Sequence, residues 1–166
     1  AFRIEGQIVP AGFPGEMVLL QRKSIGVFGA ILPWNFPFFL IARKVAPAIL
    51  TGNTVVVKSS EETPVNAALF ARILAEVELP RGVVNIISGR GGTTGSALSS
   101  HRDVGLISFT GSVSTGMSIM AAAAHNLTRV NLELGGKAPA IVMNDADLDV
   151  AVKAIHESRI ANTGQL

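Results

Sequence analysis

The sequence predicts an α/β protein in which helices cover both faces of a parallel β-sheet. Short runs rich in Val and Ile, four to six residues long, alternate with longer segments of helical periodicity. Because parallel strands are joined by crossover helices, this alternation favours right-handed βαβ units and a sheet that is buried on both faces. The 166 residues are 48% apolar and 16% charged, which fits one domain with a large core and argues against a disordered chain.

Two β-prone runs open the chain, at residues 3–9 and 16–23. The loop between them, residues 10–15, is dense in Pro and Gly. Residues 1–24 are therefore predicted to form a pair of extended segments that lie outside the main domain.

The main domain is predicted to begin with an apolar run at residues 26–32, which stops at Pro33. Residues 36–50 then have helical character. Pro47 is expected to kink or end this helix, because proline lacks the backbone N–H of a helix interior.

From residue 54 onward, predicted strands and helices alternate regularly. Strands are predicted at residues 54–57, 83–87, 104–109, 129–134 and 140–143. Helices are predicted at residues 64–78, 92–99 and 112–125, followed by one capped by Asp145 or Asp147. Thr63 is the predicted N-cap of the first of these helices, with Pro64 at its first helical position.

Apolar stripes predict the buried faces of two helices. In the helix after Pro64 the stripe consists of Val65, Leu69, Ile73 and Val77, flanked by Phe70 and Leu74. In the last helix the residues expected to face inward are Leu148, Ala151, Val152 and Ile155.

Charge and composition argue against several classes of function. The formal net charge is only +2 and the basic residues are scattered, so neither a nucleic-acid surface nor a polybasic membrane surface is predicted. No apolar run approaches the roughly 20 residues of a membrane span, and the first residues do not resemble a signal peptide, so we expect a cytoplasmic protein. There is no cysteine, and the three histidines lack ligand-like spacing, so no metal site is predicted.

Glu133 is a carboxylate placed between two leucines, directly before Gly135 and Gly136. Burying it without a partner would cost several kcal/mol, so the residue is either paired or held ready as a general base. The segment alone supports both interpretations about equally.

Other polar and glycine-rich turns follow the predicted strands, where ligands of parallel α/β sheets bind. Residues 88–95 resemble a dinucleotide fingerprint, but the third glycine is Gly95, one position late. The turn at Gly111 and Ser112 suits a phosphate oxygen at a helix N-terminus, although an ordinary serine N-cap is the more frequent explanation. Lys58 and Glu61 fit a solvated ion pair or a ligand site.

The segment Pro33-Trp34-Asn35-Phe36-Pro37 fixes an amide between two prolines at a strand-to-helix turn. Such a turn can hold the side-chain amide of Asn35 rigidly, so that it donates a hydrogen bond to an oxyanion that develops during a reaction. The alternative is a core tryptophan beside a turn asparagine, which does not account for the other turns.

Together these turns resemble those of the aldehyde dehydrogenase superfamily. The resemblance rests on residues 33–37, 58–61, 109–112 and 133–137 and on Gly164-Gln165, and it extends over residues 17–166. The run at residues 31–53 is most similar to the bacterial lactaldehyde and glycolaldehyde branch. The resemblance implies a Rossmann-like domain that serves the NAD(P)-dependent oxidation of a small aldehyde to a carboxylate through a covalent thiohemiacetal.

The resemblance also implies roles for individual residues. Asn35 would donate to the oxyanion, and Glu133 would activate the deacylating water. Lys58 and Glu61 would hold the adenosine ribose hydroxyls, with NAD preferred over NADP because a 2′-phosphate would meet Glu61. The remaining predicted cofactor-binding residues are Ile31, Trp34, Gly91, Gly111, Ser112, Leu134 and Gly135.

One departure from the family pattern concerns the nucleophile. The family cysteine lies two positions after the residue matched by Gln165, and the sequence ends at Leu166. We therefore expect residues 25–166 to be an NAD(P)-binding domain truncated before the catalytic domain and inactive alone; the alternative is an inactive nucleotide-binding or structural remnant. Residues 1–24 resemble the strands around the oligomerisation hairpin, which implies a homo-oligomer or self-association.

Overall fold

A computed structural model of the protein describes residues 4–165. The chain divides into two compact units, Ala1–Leu134 and Gly135–Leu166. Arg3, the predicted start of the first extended run, lies outside the described residues. The strands are β1 Gln7–Pro10, β2 Met17–Leu20, β3 Val27–Ile31, β4 Thr54–Lys58, β5 Val84–Ile87, β6 Val104–Gly111 and β7 Arg129–Leu134. The α-helices are α1 Pro37–Leu50, α2 Pro64–Glu76, α3 Ser96–Ser99, α4 Val113–Ala124 and α5 Leu148–Ile160.

The centre of the first unit is a five-stranded parallel sheet with the strand order β5-β4-β3-β6-β7. Its register places Ile31, the last residue of β3, beside Lys58 of β4 and Phe109 of β6. At the far edge Gly111 lies beside Leu134. The predicted α/β class is confirmed, and the carboxyl ends of the strands meet along one edge of the sheet.

Consecutive strand residues point to opposite sides of the sheet, so the apolar strands place buried side chains on both faces, and helices cover both. Ala30 belongs to the core that α1 and α2 cover, whereas Ile31 belongs to the core under α3 and α4. The first core consists of Ala30, Leu32, Leu40, Ile41, Val45, Ala48, Val55, Val57 and Ala67. The second consists of Ile31, Leu98, Val104, Ile107, Phe109 and Ile119.

The predicted N-terminal extended segments are present, and they pair with each other as a small antiparallel sheet. Strand β1 pairs with β2, so that Gln7 faces Leu20 and Pro10 faces Met17. Most of their apolar side chains are exposed, including Ile8, Met17 and Leu19.

The amide of Asn53 joins three segments at the amino-terminal edge of the main sheet. Its Oδ1 accepts hydrogen bonds from the N–H groups of Ile25 (2.7 Å) and Gly26 (3.0 Å), directly before β3. Its Nδ2 donates to the carbonyl of Ala48 near the end of α1 and to Oγ1 of Thr51. Because Asn53 is buried and directly precedes β4, its side chain fixes where β3 starts relative to β4 and α1.

The predicted buried stripe of α2 is wrong. Val65 is 77% exposed, and Leu69, Ile73 and Val77 are exposed as well. The helix instead turns Ala67 and Phe70 toward the sheet, and Phe70 packs edge-on against Phe38 of α1 with ring centroids 5.4 Å apart. Two adjacent apolar stripes run along α2, and the small side chain of Ala67 allows the closer approach to the sheet.

The predicted N-cap at Thr63 has the correct position but not the expected hydrogen bond. Its buried hydroxyl has no hydrogen-bond partner among the described residues. Thr63 has φ −133° and ψ 50°, whereas Ser112, which caps α4 through a bond from the Thr115 N–H, has the extended values −70° and 151°. The extended conformation directs a capping side chain over the first helical turn.

Helix α1 continues to Leu50, one turn beyond Pro47. Pro47 removes one hydrogen bond, the one that its missing N–H would donate to the carbonyl of Arg43, and only three residues of the helix follow it. The last carbonyls of a helix have no partner within it. The hydroxyl of Thr51 donates to two of them, the carbonyls of Pro47 (2.8 Å) and Ala48 (3.0 Å).

The second unit departs from the prediction in two respects. Residues 140–143 form no strand, because no described strand pairs with them to complete the backbone hydrogen bonds. Asp147 rather than Asp145 caps α5, accepting from the N–H groups of Asp149 and Val150. Leu148 and Val152, predicted to face inward, are each 65% exposed, since within this unit the structure describes no second long element for α5 to pack against.

Replacing Asn53 by alanine tests its role as a link. We expect Asn53→Ala to lower the free energy of unfolding by about 2–4 kcal/mol, because the N–H groups of Ile25 and Gly26 lose their acceptor in a partly buried site. Denaturant unfolding followed by circular dichroism measures this change. The control is Asn85→Ala, whose exposed side chain donates to the Gly82 carbonyl and whose loss should cost about 1 kcal/mol or less. Equal losses in the two variants would contradict the linking role.

Candidate functional site

Most of the predicted site residues lie at the carboxyl-terminal edge of the sheet or in the turns that leave it. Ile31, Lys58, Gly111 and Leu134 are the last residues of their strands, and Glu133 is the penultimate residue of β7. The turns that follow contain Trp34, Asn35, Glu61, Gly91 and Ser112. Gly135 opens the second unit and is described with that unit.

Glu61 connects the end of β4 to the glycine-rich turn. Lys58 Nζ donates to Glu61 Oε2 at 2.7 Å, and the Gly91 N–H donates to Glu61 Oε1 at 3.3 Å. The hydrogen bond from Lys58, together with those from backbone N–H groups, lowers the pKa of Glu61 to about 2. Lys58 is only 2% exposed, so the interpretation as a solvated surface ion pair is wrong for the lysine. Both carboxylate oxygens are used to hold this corner of the site.

The glycine-rich turn has a specific backbone geometry. Residues Gly91–Gly95 form one turn of π-helix that runs directly into α3, and the N–H groups of Thr93, Thr94 and Gly95 all converge on the Arg90 carbonyl. Gly89 has a φ of 146°, and a Cβ at this position would collide with the hydroxyl of Thr94. A π-helical turn contains one residue more than an α-helical turn, which accounts for the third glycine at position 95, one position later than in the dinucleotide fingerprint.

A cleft of about 370 Å³ lies between this turn and α4. Glycines and hydroxyl side chains form most of its wall, which consists of Ile31, Gly91, Gly92, Gly95, Ser96, Ser99, Ser114, Thr115, Ser118, Ile119 and Ala122. Ser112 caps the adjacent helix, so the ordinary N-cap interpretation is correct for its side chain. The helix N-terminus still provides a partial positive charge at the entrance of the cleft.

A second cleft, of about 520 Å³, lies between α1 and the strands β6 and β7, on the other face of the sheet. Lys44 of α1, Ser108 and Thr110 of β6, and Asn131 and Glu133 of β7 contribute its polar wall. Glu133 is exposed there, so the cost of an unpaired buried carboxylate does not arise.

Lys44 is a site residue that the sequence analysis missed. It is 7% exposed, and its Nζ donates to Ser108 Oγ at 2.6 Å. Burial lowers the pKa of Lys44 to about 8; the Glu133 carboxylate opposes this shift, and Arg43 adds to it. The available signal was a cation on the apolar face of α1, among Leu40, Ile41, Val45 and Ala48.

The Trp-Asn segment occupies the turn between β3 and α1. Trp34 is 48% exposed, so the alternative of a core tryptophan is wrong. Asn35 is half-buried, two residues before α1 begins at Pro37. The rigid turn therefore presents the indole at the surface, at the carboxyl edge of the central strand.

The described residues include no group of three or more His, Cys, Asp or Glu side chains able to hold a metal ion. No helix in residues 4–165 is both long and apolar enough to cross a membrane.

Comparison with known proteins extends these observations. The family model described as "Aldehyde dehydrogenase family" matches residues 1–166. The chain belongs to the aldehyde dehydrogenase family. It is 60% identical to lactaldehyde dehydrogenase of Escherichia coli over 166 residues, which cover 100% of the chain and 35% of that relative. A crystal structure of the same enzyme matches with a TM-score of 0.98 at 60% identity, over 100% of this chain and 35% of that one.

Two further aldehyde dehydrogenase-like structures contain a dinucleotide. PnpE from Pseudomonas sp. WBC-3, in complex with nicotinamide adenine dinucleotide, is 44% identical with a TM-score of 0.95 and covers 99% of this chain and 34% of its own. A 3,6-anhydro-L-galactose dehydrogenase in complex with NAP is 43% identical with a TM-score of 0.94. The match covers 99% of this chain and 34% of that one. The chain thus spans about a third of the length of the relatives that it matches. The family consists of NAD(P)-dependent oxidoreductases, which agrees with the resemblance seen in the sequence.

The lowered pKa of Lys44 predicts a pH-dependent stability. The pKa of Lys44 falls from 10.5 to about 8 on folding, so burying the charged ammonium lowers the free energy of unfolding at every pH below 8. This loss of stability disappears as the pH rises from 8 to 10.5, because the amine is then neutral in both states. The stability of Lys44→Met relative to the unchanged chain should therefore fall by about 2–3 kcal/mol between pH 7.5 and pH 10. Denaturant unfolding at both pH values measures it.

The control for this measurement is Val45→Ala, which alters the neighbouring buried residue without removing an ionisable group. Its stability relative to the unchanged chain should be the same at both pH values. A stability difference for Lys44→Met that does not change with pH would contradict the buried, largely uncompensated position of the Lys44 amine.

Proposed function

We propose that this chain forms the dinucleotide-binding part of an enzyme that oxidises a small aldehyde to a carboxylate with reduction of NAD(P)+. The observation that carries the proposal is the arrangement of Lys58, Glu61 and Gly91, held together beside a cleft that ends at the N-terminus of α4. Membership of the family and the dinucleotides in two similar structures support the same assignment.

The cleft between the glycine turn and α4 fits a dinucleotide in its chemistry. Its glycines leave room for a close approach of the ligand to the backbone, and its hydroxyl groups match a polar ligand. Lys58 and Glu61 would hold the adenosine ribose, and Ser112 with Gly111 would meet the pyrophosphate at the positive end of α4. Ile31, Trp34 and Gly91 would line the cofactor cleft, with Leu134 and Gly135 toward the nicotinamide.

The proposed roles of Asn35 and Glu133 concern the aldehyde carbon. Asn35 would donate a hydrogen bond to the oxyanion formed when a nucleophile attacks the carbonyl, and Glu133 would take a proton from the water that releases the acid. Bound NAD(P)+ supplies the hydride acceptor. The 166 residues contain no cysteine, so the family's thiol nucleophile is not among them.

Association with further copies is part of the proposal. The antiparallel pair β1–β2 exposes apolar side chains, including Ile8, Met17 and Leu19, and it offers unpaired strand edges. Exposed apolar surface and free edges both favour pairing with another chain. We therefore propose a homo-oligomer or self-association through this sheet.

Dinucleotide binding is the direct test of the proposed function. We expect NAD to change the fluorescence of Trp34, the only tryptophan, and calorimetry to give the same affinity. NADP, titrated in parallel, should bind more weakly, because its 2′-phosphate would approach the Glu61 carboxylate. Glu61→Gln should narrow the difference between the two cofactors.

The matched control is Glu62→Gln, which removes the adjacent exposed carboxylate and should leave both affinities unchanged. Failure of NAD to bind at millimolar concentration by either method would contradict the proposed site. Equal affinities for NAD and NADP would contradict the position of Glu61 at the ribose.

The second candidate function is dinucleotide binding without chemistry, which the lack of any cysteine favours for these 166 residues alone. We expect the purified 166-residue chain to form no NADH from glycolaldehyde, because hydride transfer in this family requires a thiohemiacetal. The assay follows NADH absorbance, beside lactaldehyde dehydrogenase as a positive control. Turnover that survives repurification and is lost in Glu133→Gln would show that the chain does not need a thiol.

A further inference from the structure

Lys44 of α1 differs in its partner from Lys58, the buried lysine at the end of β4. The ammonium of Lys58 lies 2.7 Å from a carboxylate oxygen of Glu61 and is held as an ion pair. Lys44 Nζ instead donates to a neutral hydroxyl, Ser108 Oγ, at 2.6 Å. Burial without a contacting carboxylate favours the neutral amine, which carries a nucleophilic lone pair.

The surroundings of Lys44 provide space for a small molecule. Its side chain forms part of the wall of the 520 Å³ cleft, together with Thr110 and Asn131, whose polar groups suit a hydroxyl or carbonyl oxygen. The titratable groups that face Lys44 are Glu133, from β7, and Arg43, on its own helix.

We propose that Lys44 binds small aldehydes covalently, as an imine, in the cleft between α1 and the strands β6 and β7. The choice of aldehydes as the ligand class rests on the proposed function. The reaction itself needs neither dinucleotide nor thiol, so it is a separate property of these residues.

The chemistry balances without an oxidant or a reductant. The Lys44 lone pair forms a bond to the carbonyl carbon, the C=O π electrons move to oxygen, and a proton passes from nitrogen to that oxygen to give a carbinolamine. Proton donation to the hydroxyl group then allows it to leave as water, and the nitrogen lone pair forms the C=N bond. Solvent supplies this proton, Glu133 in the same cleft wall can relay it, and the proton added in this step balances the positive charge of the protonated imine that forms.

Reductive trapping tests the proposal on the unchanged chain. The protein is incubated with glycolaldehyde at pH 8 without dinucleotide, and borohydride then delivers hydride to the imine carbon to give a stable secondary amine. Intact mass should increase by the mass of the aldehyde less one oxygen atom, and peptide mapping should assign the label. We expect Lys44 to be labelled at least about tenfold faster than the exposed Lys137, because far more of a buried amine of lowered pKa is neutral at this pH.

Two further measurements separate this result from general lysine labelling. The rate at Lys44 should rise with pH, reach half of its maximum near pH 8 and level off at higher pH, following the fraction of neutral amine. Lys44→Met should lose the fast label, whereas Lys153→Met, which changes an exposed lysine of α5, should keep it. Labelling of Lys44 no faster than Lys137 in the unchanged protein would overturn the proposal, whether or not the variants fold. Because the assay contains no dinucleotide, such a failure would leave the proposed cofactor site untouched, and loss of NAD binding would leave the imine untouched.

Discussion

The hydrogen bonds of the Asn53 side chain are the interaction on which the geometry of the main sheet depends. They hold the residues before β3 against the start of β4 while a further bond reaches the end of α1. Parallel strands have no tight turn to set their register, so a buried link at one end determines the alignment at the other. The fixed register places Ile31 beside Lys58, and the two clefts described above, beside the glycine-rich turn and beside Glu133, depend on that alignment.

Two buried lysines, Lys58 of β4 and Lys44 of α1, have different hydrogen-bond partners. Lys58 contacts the carboxylate of Glu61 and forms part of a fixed polar frame. Among the described residues, the hydrogen bond of the Lys44 ammonium goes to the hydroxyl of Ser108, and the field of Glu133 only partly offsets its burial. An ion-paired ammonium is stabilised in its charged form, whereas burial without an ion pair favours the neutral amine, and the different chemistry that we propose for the two lysines follows from this contrast.

The sequence was informative wherever local chemistry determines structure. Strand ends, the Ser112 cap and the connection between Lys58 and Glu61 were predicted, because turn residues and capping groups act over a few positions. Prediction from the sequence failed where tertiary packing determines the structure. Periodicity could not choose between the two apolar stripes of α2, a β-prone run at residues 140–143 had no described partner, and Lys44 became important only through Ser108, 64 residues away along the chain.

The turn after β3 joins the two faces of the sheet. Ile31 packs on the side of α3 and α4, yet the chain then leads into α1, which covers the opposite side and carries Lys44. Residues 32–36 must therefore cross the carboxyl edge, and the two prolines that flank Trp34 and Asn35 restrict the backbone during this crossing. The amide of Asn35 is therefore held where the chain passes from the face of the glycine-rich turn to the face of Glu133, and the oxyanion role that we propose for it requires a donor fixed in such a position.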